Sequence, residues 1–142
     1  MAVYYVNEAA FEIDQAAFED RTVHVLAARD ELPDDVSLLV SRTAYRAGET
    51  LVDNVTRHVE REKRALAGWK ELARREYRRD DAPVIEVTTR WRGGAGLVYQ
   101  RQAHIGLARA VLLIVANGPI EQSDTCDRHL ARALETFRAR RD

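Results

Sequence analysis

Cysteine is almost absent from this 142-residue chain: Cys126 stands alone, so no internal disulfide can brace the fold. A dominant charge is missing too. Acidic side chains number 23 and basic ones 22, for a net charge of -1, which removes the general electrostatic footprint of a nucleic-acid binder. Lysine is scarce, with 2 against 20 arginines, a skew that fits codon preference as readily as function. The longest apolar run, 110–116, has seven residues and falls far short of the roughly 20 that span a bilayer. Met1 to Glu8 shows no basic region, apolar signal stretch or lipidation cysteine, so a cytoplasmic location with no membrane insertion is expected. No repeat or low-complexity segment is visible.

What remains is the composition of one globular domain spanning 1–142. At this length roughly 68 to 70% of the unfolded surface is buried on folding, and 46% apolar residues suffice for a core. Charge is segregated: residues 1–35 hold nine acids and two bases, while the remainder is net basic. The acidic quarter either covers the basic remainder or both are solvated surface.

The first 45 residues read as short strands, at 3–6, 11–13, 22–26 and 36–42, with the acidic loop 29–35 between the last two. Thr50 followed by Asp53 resembles a capping box with Asp in place of Glu. Val52, Val55, Val59 and Leu66 then recur at helical spacing, predicting a helix over 50–67 closed by Gly68. From Trp69 the period returns to two, through Leu72 and Tyr77. A polar turn at 78–83, strands at 84–91 and 97–107 around the glycines at 93, 94 and 96, and a central strand at 110–116 follow; Asn117-Gly118-Pro119 ends that strand. Ser123 is placed to cap a second helix whose stripe is Cys126, Leu130, Ala133, Leu134 and Phe137. Strands, helix, four strands and helix predict an α+β sandwich: an antiparallel β-sheet packed against two helices.

Local motifs for chemistry are lacking. The clustered glycines join two strands without the Lys-Ser/Thr of a phosphate loop. His24, His58, His104 and His129 have no metal-ligand spacing, and Cys126 lies on an apolar stripe as a small hydrophobe. No metal, cofactor or catalytic residue is therefore assigned.

One sheet face stands out. Alternation sets Leu38 and Val40 against Ser37, Leu39 and Ser41, and sets Leu97, Tyr99, Ala103, Ile105 and Leu107 against Val98, Gln100, Gln102 and His104. The second sides, with Val23 and Val25, combine aliphatics with uncharged donors and acceptors. Such a surface suits an apolar helix, and equally a second covered core face whose polar groups are satisfied internally.

Asp20-Arg-Thr-Val-His-Val-Leu26, Ser37-Leu-Leu-Val-Ser-Arg42, Gly48-Glu-Thr-Leu51, Leu66-Ala-Gly-Trp69 and Tyr99-Gln-Arg-Gln-Ala103, in this order and spacing, resemble the DcrB-related domain family. The likeness is to its cytoplasmic Eag chaperones of type VI secretion in particular. It implies a PsbP-like α/β sandwich, a homodimer, and a non-enzymatic chaperone. Such a chaperone shields the N-terminal transmembrane helices of a PAAR-containing effector and helps load it onto the VgrG spike. By motif position the resemblance puts aliphatic client contacts on Val23, Val25, Leu39, Leu66 and Val98, and polar ones on Ser37, Ser41, His58, Gln100 and Gln102. Two positions depart from the family pattern: His58 stands where an amide is common, and Glu62 where a small residue suits the groove. The alternatives are a ligand-binding or scaffolding module of the same fold and an enzyme with a site assembled from distant residues.

Overall fold

The computed structural model describes residues 2–5, 10–13, 23–28 and 35–140. Two short strands, β1 (Ala2–Tyr5) and β2 (Ala10–Ile13), pair antiparallel with each other. Residues 29–34 of the acidic loop 29–35, and most of the acidic first quarter, lie outside the described residues.

The main sheet has six antiparallel strands: β3 (His24–Ala27), β4 (Ser37–Ala44), β5 (Lys70–Arg79), β6 (Ala82–Gly93), β7 (Gly96–Gly106) and β8 (Ala110–Pro119), in the order β3-β4-β8-β7-β6-β5. β5 through β8 form a meander on short turns. Asp80 and Asp81 both take positive φ, 49° and 65°, as the two central residues of a tight hairpin turn require. β4 leaves sequence order and pairs with β8, its Ser37 opposite Asn117 and its Ala44 opposite Ala110.

Two helices cover opposite faces. α1 (Leu51–Ala65) begins at the expected box: the Asp53 amide donates to the Thr50 hydroxyl at 3.2 Å, and the Thr50 amide to the Asp53 carboxylate at 3.1 Å. Gly68 takes the left-handed conformation after it, φ 65°. Val55 and Val59 pack on Ile85 and Val87, with Leu51 and Trp69 at the margin. α2 (Ser123–Glu135) lays Cys126, Leu130 and Leu134 on Val84, Ala103, Ile105 and Ala116 of the other face. Residues at alternate positions on β6 and β7 thus serve different helices, and the α+β sandwich expected from the strand and helix pattern is found.

Four local expectations need correction. Val52 is exposed; the inward position is Leu51, one residue earlier, because the stripe runs 51, 55, 59. Leu72 sits at a β-bulge between Glu71 and Ala73 and turns outward, breaking the period-two reading. Asn117 to Pro119 do not end the strand but belong to it, since pairing with β7 continues to Val98 opposite Pro119. Ser123 does not cap α2: a 3₁₀ turn over Ile120–Gln122 feeds the helix directly, and no side chain caps it.

Candidate functional site

The sheet face beneath α1 collects the residues that alternation had grouped. Reading across the register, one row is Ser37, Asn117, Gln100 and Thr89; the next is Val25, Leu39, Val115, Gln102 and Val87; a third is Ser41, Leu113, His104 and Ile85. α1 packs over β6 and β7. Toward β4, Ser37, Leu39 and Ser41 stay half-buried, and on the edge strand β3 Val25 is 64% exposed. Val23, just before β3, is exposed as well. This strip carries no charged side chain on its β4 and β8 positions, and α1 forms its wall.

The wall and the floor meet in a polar network. The Gln102 amide nitrogen donates to both Glu62 oxygens, at 2.8 and 2.9 Å, and to the Gln100 carbonyl oxygen at 2.6 Å. The His104 Nε2 donates to the Gln102 oxygen at 2.9 Å, and His58 Nε2 donates to Glu62 at 3.0 Å. Because an amide oxygen and a carboxylate only accept, each imidazole presents an N–H at Nε2. Trp69 adds a long indole contact to Glu62 at 3.4 Å, and the two imidazoles meet edge to face at 5.0 Å. Burial pushes the Glu62 carboxyl up, but the hydrogen bonds and charge of His58, with those of Gln102 and Trp69, bring it below its ordinary value. Burial, then the neighbouring His58 and Arg74, holds His104 down to about 3, so it is neutral.

These contacts distribute the predicted residues unevenly. Val25, Ser37, Leu39, Ser41, Gln100 and Val98 share the face, and His58 and Glu62 both look onto it from α1. Leu66 closes α1, half-buried. Val98 lies toward the far end, beside a cavity of about 500 Å³ bounded by the 93–97 turn, Asn117 and Pro119. Gln102 is different: it is fully buried and its donors are spent on Glu62 and Gln100, so it supports its neighbours rather than the open surface. In the first row, Asn117 Oδ1 and Thr89 Oγ1 are buried without a hydrogen-bond partner among the described residues.

A second polar cluster, on the α2 face, escaped the sequence reading. Glu86 is 2% exposed and takes Arg101 Nε at 2.6 Å on one oxygen and Arg75 at 2.8 and 3.0 Å on the other. The Tyr99 hydroxyl donates to Asp127 of α2 at 2.6 Å, and a cavity of about 320 Å³ opens between these groups and Ala73. The signal was present: Arg101 and Glu86 occupy inward positions of alternating strands and carry opposite signs.

The fold has solved relatives. A protein of unknown function from Pseudomonas aeruginosa aligns with a TM-score of 0.78 and 22% identity over 100% of this chain and 99% of its own. LpqN of Mycobacterium tuberculosis, involved in cell envelope biogenesis, aligns with a TM-score of 0.63 and 10% identity over 82% of this chain and 80% of its own. Cyanobacterial PsbP from Synechocystis gives a TM-score of 0.55 and 11% identity over 80% and 79%, which bears out the PsbP-like sandwich. At these identities the likeness speaks for the fold alone. No curated protein matches by sequence. Among the described residues no helix is long and apolar enough to cross a membrane. The DcrB family model matches residues 8–136, nearly the whole chain, and the chain therefore belongs to the DcrB family.

Proposed function

We propose that this chain is a chaperone of the Eag type, which takes the N-terminal apolar helices of a PAAR-containing type VI secretion effector onto the sheet face beside α1. It keeps them from water in the cytoplasm and hands the effector to the VgrG spike. DcrB membership supports the family half of this reading. One observation carries the rest: the β3–β4 strip presents Val25, Leu39, Ser37 and Ser41 as an uncharged surface, where an ordinary solvent face would be charged. Each large aliphatic side chain buried there contributes about 1.5 to 3 kcal/mol, so coverage of one helix face drives binding after association costs, with no need for ATP or any other cofactor. The serine hydroxyls meet small polar groups of the client, worth about 0.5 to 1.5 kcal/mol each.

The function needs no catalytic residue, and a homodimer supplies two such strips per particle. Light scattering at tens of micromolar checks the dimer, and a mass of one 16.2 kDa chain argues against it. The groove is tested by coexpression with an effector fragment carrying its first apolar segment. Val25→Lys or Leu39→Lys places an unpaired charge against the client, and recovery of soluble fragment should collapse. Either variant, folded normally and still holding the fragment soluble at wild-type yield, refutes the proposal.

A further inference from the structure

Glu62 is an ionised group set at the margin of the uncharged strip, where α1 meets the sheet. Its side chain keeps 17% exposure, with the Gln102 amide, the Trp69 indole and the His58 imidazole around it. Among the described residues, no permanent cation is paired with it. Arg57, one turn earlier on α1, is held by Glu49 through Nε and Nη2 at 2.9 Å, and Arg74 is held by Glu71 at 2.6 Å. Arg101 faces the other side of the sheet, bound to Glu86. Among the described residues, the basic side chain paired with Glu62 is His58.

That arrangement has a cost whenever the strip is covered. An apolar segment laid along α1 strips the last water from a carboxylate held by an amide, an indole and one imidazole, and a half-desolvated anion without a permanent cation opposes burial. A segment bearing a lysine or arginine at the matching position removes the cost and forms a charge-assisted hydrogen bond instead. Discrimination follows from the penalty on the wrong segment as much as from the gain on the right one.

We infer that Glu62 is the selectivity determinant of the groove, so that the apolar helix this chain accepts carries one basic side chain where it passes α1. The inference rests on the groove reading proposed above and adds to it the chemistry of the occupant. Full-length protein is titrated with two 20-residue leucine-alanine peptides, each fused to a soluble carrier, one with a central lysine and one with methionine at that place. The lysine peptide is expected to bind about tenfold more tightly. In Glu62→Gln, checked for folding by its melting transition, that preference should disappear. Equal affinity of the two peptides for the wild type overturns the inference while leaving the groove intact, and so does a lysine preference that survives in folded Glu62→Gln. Failure of the wild type to bind either peptide overturns the groove reading itself. The wild-type comparison stands even where the variant does not fold.

Discussion

Replacing Arg101 with methionine removes one of the two cations that hold Glu86 inside the sheet, and the structure sets the size of the loss. Glu86 is 2% exposed, and its Oε1 has Arg101 as its donor at 2.6 Å. Breaking a buried pair from one side costs about 3 to 5 kcal/mol, because the remaining charge is left without compensation. Arg75 still reaches Oε2, but its side chain is 63% exposed and its attraction is screened by water, so it recovers only part. We expect Arg101→Met to lose about 2 to 4 kcal/mol, measured by urea denaturation at pH 7 with an unchanged m-value. Glu86→Met combined with Arg101→Met should regain most of that loss, since an apolar pair of similar volume no longer buries a charge. The pH dependence has a definite sign. Burial raises the Glu86 carboxyl, yet Arg101 and its other partners hold it below the ordinary value, so its stabilisation is present above the unfolded value of about 4.3 and fades as pH falls through the folded one. In Arg101→Met the acid loss should begin at higher pH. A single variant within about 0.5 kcal/mol of wild type, or a double variant worse than the single, would refute this account of the pair.

Leu134→Ala, a truncation inside the α2 core, should cost about 2 to 5 kcal/mol, whereas Leu39→Gln on the half-buried strip should leave the melting temperature nearly unchanged; equal losses in thermal melts would show that the strip is core. Gln102→Ala should destabilise by about 1 to 3 kcal/mol, because it strands partners on Glu62, Gln100 and His104, while Ser41→Ala should stay within about 0.5 kcal/mol; parallel urea curves compare them. Gly106→Ala places a Cβ 3.0 Å from Pro83 Cγ and 3.3 Å from Leu51 Cδ2, and overpacking there should cost about 1 to 3 kcal/mol in the same assay.

The sheet was legible where pattern and burial agree. Alternation along 97–107 separated the two faces of β7 correctly because one row packs on α2 and the other faces α1. Thr50, Asp53 and Gly68 marked α1 through hydrogen bonds and a left-handed backbone that few other residues supply. Alternation failed on Arg101 and Glu86 because it reads a charge as surface unless the opposite charge across the ladder of the neighbouring strand is sought. The apolar run 110–116 identified a central strand but not its neighbours, since a strand apolar on both faces accepts several partners. Gln102 was read as an open contact because spacing gives the face of a side chain, not what already occupies its donors. Glu62 looked out of place beside a groove built for small residues; as the acceptor for Gln102, His58 and Trp69, it ties helix to sheet.

The pairing of β4 with β8 also sets an order of assembly. β5 to β8 close through turns of a few residues, whereas β4 reaches β8 only after α1 and three strands have been placed between them in the chain. Loop closure of that length is the slower entropic step, so the meander is expected to form first and β3–β4 to dock onto its finished edge, an order that φ-values higher in β6 and β7 than in β4 would bear out. The same strands are the first to leave. β3 is short and lies at the margin, and its amides, followed by those of β4 on the β3 side, should exchange with solvent faster than those shared by β6 and β7. The uncharged strip is thereby built on the part of the molecule that opens with the least work, over a meander that stays closed.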